Sequence, residues 1–345
     1  MRPNFFHHLH PPTIPAEQAR WRYTLGAGGT AVFLVLVLIL TGILEMFYYI
    51  PTPAEAALSV QIISYSVPFG ALVRNLHYWA GQLLLVFSGL HLLRVVLTGA
   101  YARPRRFNYL LGLALFVFII LLDFTGYILR WDQGIQWALV VGTNLVKSIP
   151  WVGDSLYQML VGGTQPGAAT LIRFYTWHIF GLMLLAGILT IWHAFRVRRD
   201  GGIAVPPPPL RTSPERITRF ELLRREVTAM LLTGAGLLLL SLLLPAPIAP
   251  AITEITALSG DTHAPWFFLW VQQMLKWGDP FLWGVLVPLL VLLVLALIPY
   301  LLPAPRQAEL GRWFPKGSRL AQWVLVVITI LVTLFMLLAL GPVIQ

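Results

Sequence analysis

Two pairs of histidines carry the clearest chemistry in this chain. His77 and His91 stand fourteen residues apart, each with an arginine three positions outside it, Arg74 and Arg94. On a helix that spacing is a rise of about 21 Å in about four turns, so both imidazoles leave the same face. A second segment repeats the arrangement with Trp177-His178 and Trp192-His193, fifteen residues from one histidine to the next. An ionisable side chain in an apolar helix needs a partner. Iron between two neutral imidazoles supplies one: both axial sites are filled, giving an electron carrier with no open position. Zinc would require a closer cluster of ligands. The four histidines predict two haems with bis-histidine ligation, stacked at two depths.

The elements that must position them are long and apolar. Of 345 residues 57% are hydrophobic and only 11% charged, against about 25% charged in soluble domains; the mean hydropathy is +0.75. Seven apolar runs lie near 28–49, 77–98, 107–129, 174–196, 227–245, 280–302 and 320–341, each of about the length that a bilayer core demands of a helix. The expected fold is an all-α polytopic membrane protein with seven transmembrane helices, the first four forming a haem-binding four-helix bundle. There is no cysteine, which excludes disulfides, cysteine-ligated iron–sulfur clusters and thioether-linked haem. The haems are therefore expected to be non-covalent and of b type.

The net charge of +10 is explained by topology. With the N-terminus inside, eighteen of the 24 Lys and Arg residues fall in the leader and the inner connections and five in the outer ones, the asymmetry of a positive-inside protein. A nucleic-acid partner is not needed to explain the charge. The second and fourth helices then run parallel, which pairs His77 with His178 near the outer face and His91 with His193 near the inner face.

Other residues fit that frame. Gly28 and Gly42 are fourteen apart on the first helix, as are Gly112 and Gly126 on the third, and a macrocycle between helices needs backbone without Cβ at the ligand depths. Small-residue helix packing is the alternative reading. Arg74, Arg94 and Arg198 are candidate donors to anionic propionates, although snorkelling would also place them. Asp123, three residues before Gly126, is a costly carboxyl within the span; proton transfer and local hydrogen bonding are both open to it. The histidines of the leader, His7, His8 and His10, read as part of an interfacial tail. The connection 130–173 is apolar and Gly/Pro-punctuated, which predicts short amphipathic helices lying against the outer face. The proline-rich, charged stretch 205–226 is the best module boundary, between a four-helix unit at 1–204 and a three-helix unit at 227–345.

Arg74-x-x-His77, His91-x-x-Arg94, Leu97-Thr98-Gly99, Thr125-Gly126-Tyr127, Trp131-Asp132-Gln133, Ile149-Pro150-x-x-Gly153 and Arg173-Phe174-Tyr175-x-x-His178 together resemble the cytochrome b/b6 family of bc- and b6f-type quinol-oxidising complexes. The fifteen-residue spacing resembles the b6 branch, and residues 227–341 resemble the separate three-helix subunit of b6f complexes, here joined to the rest. The resemblance implies a quinol–cytochrome c or plastocyanin reductase type of enzyme. Quinol would be oxidised at the outer face, quinone reduced at the inner face with protons taken from inside, and a proton gradient built. It also implies an iron–sulfur subunit, a c-type cytochrome or other high-potential acceptor, a homodimer, and in this chain a bacterial cytoplasmic membrane location.

Three departures stand out. The family's outer quinol motif, Pro-Glu-Trp-Tyr, is matched by Pro265-Trp266-Phe267-Phe268, without the glutamate. The position of the cysteine that holds an extra haem in b6-type proteins is taken by about Gly26, so no covalent third haem is expected. The proline before Trp-Asp-Gln is Arg130. Asp261, His263, Asp123 and Glu254 are the candidates for the missing proton acceptor. The alternative is a membrane anchor that passes electrons between quinone and another redox enzyme, its outer quinol site altered or idle.

Overall fold

The computed structural model describes residues 11–210, 215–252 and 263–341. The leader histidines His7, His8 and His10, and the candidates Glu254 and Asp261, lie outside the described residues. Seven helices are long and apolar enough to cross a membrane: α1 Ala27–Met46, α3 Gly70–Leu97, α4 Arg106–Ile128, α7 Ala168–Arg199, α8 Arg219–Leu243, α10 Leu282–Leu301 and α11 Lys316–Ala339. Shorter helices lie between them: α2 Ala56–Tyr65, α5 Gln136–Lys147, α6 Gly153–Val161 and α9 Leu269–Leu275. A helix satisfies its own backbone polar groups, which hydrocarbon cannot do. The side chains outside are accordingly apolar and exposed, with Leu40, Leu231, Leu242 and Leu243 all more than 60% accessible.

The polar residues extend the helices beyond the apolar runs. α3 starts at Gly70, seven residues before the run that predicts it, because Arg74 and Asn75 are spent on main-chain partners. At 28 residues it is about 42 Å long, more than the hydrocarbon core of about 30 Å. Arg74 and Arg94, twenty residues or about 30 Å apart along it, stand at the two borders of that core. α8 likewise begins at Arg219, inside the charged stretch, where the Thr218 hydroxyl caps it by accepting from Glu221 N–H at 3.3 Å.

α1, α3, α4 and α7 form the bundle. The later helices close its sides: Leu237 of α8 packs with Leu34, Ala80 and Leu84, while Leu295 and Ile298 of α10 and Ala321 and Leu325 of α11 pack with Val96, Tyr109 and Leu113. We call the end where α1 begins the near end and the opposite one the far end. The connection 130–167 caps the far end with α5 and α6, the short helices predicted for it, over a core of Ile128, Trp131, Ile135, Leu139, Leu171 and Phe174.

At the near end two three-residue strands, β1 Thr13–Pro15 and β2 Arg216–Thr218, pair antiparallel, a small β element that a purely helical reading does not anticipate. They join the leader to the charged stretch, with Ile14 buried against Ala19 and Leu222. The turn after α7 uses Gly201 and Gly202 at φ +93° and +77°, where a side chain would strain the backbone. It turns the chain so that Gln18 donates to Ile203 O at 3.0 Å and Arg105 to Gly202 O at 2.9 Å.

Candidate functional site

The bundle brings the four histidines together in two pairs. His77 of α3 faces His178 of α7 with ring centres 6.4 Å apart, and His91 faces His193 with centres 6.3 Å apart. Two metal–imidazole bonds of about 2 Å and two ring radii of about 1.1 Å add to about 6.2 Å, so the span of each pair fits one iron between two imidazoles. The rings stand 67° and 82° from coplanar. The donor set at each depth is a pair of imidazoles, which fits a haem iron; among the described residues no group of three or more His, Cys, Asp or Glu converges.

Each imidazole rests against one of the predicted glycines. A Cβ on Gly42 would lie 3.1 Å from His77 Cε1, on Gly126 2.8 Å from His178 Cε1, on Gly112 3.1 Å from His193 Cε1 and on Gly28 3.4 Å from His91 Cε1. α1 thus offers glycines to the histidines of α3, and α4 to those of α7. The far layer is Gly42, His77, Gly126 and His178; the near layer is Gly28, His91, Gly112 and His193. The glycines make room for the imidazole rings themselves, where the expectation was room for a macrocycle.

The ring orientations follow from neighbouring oxygens. The Thr41 hydroxyl lies 2.8 Å from Val37 O and 2.9 Å from His77 Nδ1. The Thr125 hydroxyl likewise lies 2.8 Å from Leu121 O and 3.1 Å from His178 Nδ1. His193 Nδ1 lies 3.1 Å from the carbonyl of Asn108. His193 therefore carries its proton on Nδ1, and all three rings engage a partner through Nδ1, which leaves Nε2 as the nitrogen open to a metal, the orientation that outer partners impose on ligand histidines. Thr41 and Thr125 were not anticipated, yet a signal existed: each is the residue before a far-layer glycine.

A second feature explains the unequal spacings. α7 contains a π-helical turn at Trp177–Gly181, and His178 sits in it. Such a turn inserts one residue into an α-helix. The fifteen-residue spacing on α7 is therefore fourteen plus one, which keeps His178 and His193 level with His77 and His91.

The arginines are engaged. Arg74 is buried and donates to Ala246 O at 3.1 Å and to Pro247 O. Beside it Asn75 donates to Ser241 O at 2.8 Å and accepts from Ala246 N–H at 2.9 Å. Arg94 donates to Tyr23 O at 3.0 Å and covers the Tyr23 ring. Arg198 lies in the last turn of α7 at the near end. Arg74 thus fastens the chain leaving α8 to the mouth of the far layer.

The Pro265-Trp266-Phe267-Phe268 segment forms a single 3-10 turn against the far half of α3 and α4. Trp266 Nε1 donates to Gln82 Oε1 at 2.6 Å, and Phe268 meets Phe124 with centroids 5.6 Å apart. His263 is exposed. Asp123 Oδ1 would lie 2.8 Å from a Cβ on Gly81, and its Oδ2 is buried without a hydrogen-bond partner. Asp132 accepts from Arg130 at 2.6 Å and from Ala249 N–H at 3.1 Å, so Arg130, where a proline was expected, secures the connection after α8. Glu45, three residues beyond Gly42, also has a buried oxygen, Oε1, without a partner; only its place at the end of an apolar run hinted at it.

A family model described as Cytochrome b/b6/petB matches residues 15–201. Curated relatives include the cytochrome b6 of Heliomicrobium gestii, 41% identical over 192 residues, which are 56% of this chain and 88% of that protein. The cytochrome b6 of Chlamydomonas reinhardtii is 40% identical over 174 residues, 50% of this chain and 81% of that protein. Among solved structures, one described as a hyperthermophilic respiratory Complex III shares the fold over 93% of this chain and 84% of that one, with a TM-score of 0.78 at 21% identity. The family match covers the four-helix bundle, and the match in fold extends over nearly the whole chain.

Proposed function

The chain belongs to the cytochrome b/b6 family, integral membrane cytochromes of electron transport, and from that membership and its two histidine layers we propose that it is the di-haem cytochrome b subunit of a bc- or b6f-type quinol-oxidising complex. The observation that carries the reading is the pair of imidazole spans, 6.4 and 6.3 Å, at two depths about 21 Å apart along α3. When bound, haem at each depth supplies a one-electron redox centre, which is what electron transfer across a membrane requires. His77 and His178 hold the far haem and His91 and His193 the near one. Thr41, Thr125 and the Asn108 carbonyl fix the ring orientations. The surplus of Lys and Arg at the near end supports an orientation in which that end faces the inside of a bacterial cytoplasmic membrane.

The far end is then the outer face, where quinol binds beside Pro265–Phe268. Quinone is reduced at the near end with protons from inside, contributing to a proton gradient. Residues 1–204 act as the b6-like unit and 227–345 as the subunit-IV-like unit, with an iron–sulfur subunit and a c-type cytochrome or comparable acceptor as partners in a dimeric complex. The test is a reduced-minus-oxidised spectrum of the purified complex: two b-type haems per chain, reducible by added quinol, are expected, and a chain without haem sinks the proposal. Thr125→Val is expected to lower haem affinity about 10- to 100-fold, the usual cost of losing the partner of a ligand histidine, read as haem retained after detergent washing.

One observation favours a second reading. Pro265-Trp266 lacks the glutamate of the family motif, and a chain whose outer site is idle would serve as an anchor between quinone and another redox enzyme. Quinol-driven reduction that is blocked only by near-end inhibitors would select it.

A further inference from the structure

Asp123 lies within the membrane-spanning part of α4, where a carboxyl is costly unless something offsets it. Its Oδ2 is buried without a hydrogen-bond partner. Its Oδ1 lies against α3 at Gly81, where a Cβ would stand 2.8 Å away. α3 therefore gives up a side chain to admit a carboxyl whose Oδ2 no donor satisfies. Asp132 too has a buried oxygen without a partner, Oδ1, but its Oδ2 is anchored by Arg130 and by Ala249 N–H. The orphan oxygen of Asp123 is the first sign that this group has another task.

The second sign is its position. Gln82, the residue after Gly81, receives the Trp266 indole at 2.6 Å. Phe124, the residue after Asp123, meets Phe268 at 5.6 Å. The two helices that enclose the carboxyl, α3 at Gly81 and α4 at Asp123, thus each meet the Pro265–Phe268 turn one residue further along, and that turn lacks an acid. Of the charged and titratable groups around it, Tyr78 of α3 lies within electrostatic range of Asp123 and also of Arg74 and Arg130 at the far mouth. His263, the other described candidate, is exposed.

We infer that Asp123 accepts one of the two protons that quinol releases on oxidation at the far end; this rests on the proposal that quinol is oxidised there. One quinol O–H bond breaks and its proton passes to Asp123 Oδ2, forming the carboxylic O–H. The two electrons leave the quinol, one to the high-potential centre of the partner subunit and one towards the near end, and the second proton leaves by another route.

The test uses the intact complex with a short-chain benzoquinol or naphthoquinol as donor. Asp123→Asn is expected to slow quinol-driven reduction at the far end about 100-fold or more, the scale of a lost general base, with both b-haem bands retained. Asp123→Glu keeps the carboxyl and is expected to recover part of the rate. Infrared difference spectra of the wild type should show a protonated-carboxyl band on quinol addition that shifts when aspartate is carbon-13 labelled, a readout that needs no variant. A wild-type rate in Asp123→Asn, or a wild-type spectrum without an aspartate band, overturns the assignment alone. A wild type that neither quinol reduces from the far end overturns the outer-site reading and this assignment with it.

Discussion

Replacing His178 with leucine is expected to remove one of the two haems and leave the other spectroscopically intact, with haem falling from two to one per chain. The two layers share no side chain. His77 and His178 are held by Thr41 and Thr125, whereas His193 is held by the Asn108 carbonyl. The layers are also separated by about 21 Å of packed helix. Leucine is apolar and similar in volume, so the helix should remain in place while the axial nitrogen is lost; volume-conserving changes in packed interiors cost little. His193→Leu should give the mirror result, with the far haem surviving. Redox titration of the two variants then separates the two waves of the wild type and assigns each potential to a depth. A single-histidine variant that loses both haems, or neither, would refute the assignment of one iron to each pair.

The paired helices were legible before any coordinates because their signal is long-range and redundant. Histidines at fourteen and fifteen, glycines at fourteen on two further helices and seven apolar runs all impose the same two-layer bundle. What stayed hidden was local. The extra residue between His178 and His193 needs a π-helical turn at Trp177–Gly181, and no residue type announces one. Helix starts ran past the apolar runs, because Arg74, Asn75 and Arg219 extend helices that hydropathy alone would end. The strand pair joining Thr13–Pro15 to Arg216–Thr218 spans a sequence separation that no local pattern encodes. At the far site, Asp123 was visible as a charge in an apolar run, but its orphaned oxygen and its place against Gly81 emerge only from packing. The glutamate missing from the Pro265 turn was conspicuous, while the carboxyl that stands nearby was only one candidate among several.

Alanine at the four glycines is expected to produce a graded series that separates making room for a ligand from ordinary helix packing. Gly126→Ala should be the most severe, with far-haem retention lowered about 10-fold or more, the scale of disturbing the support of a metal ligand. Its added Cβ would stand 2.8 Å from His178 Cε1, well inside the carbon–carbon optimum of about 3.5–4.0 Å. The ring has nowhere to retreat: Nδ1 is bonded to Thr125, the residue before Gly126, so the same turn that holds the imidazole would push it away. Gly42→Ala and Gly112→Ala, both at 3.1 Å, should be intermediate, the first disturbing the far haem and the second the near one. Gly28→Ala, at 3.4 Å, needs a shift of about a tenth of an ångström to reach that optimum and should retain its haem almost fully. Haem retention and the two midpoint potentials, measured across the series, give both the order and the layer affected. If the four variants lose haem alike, or lose it from the wrong layer, the glycines serve general small-residue packing between helices. If the order is 126, then 42 and 112, then 28, the spacing of the glycines was set by the imidazoles they face.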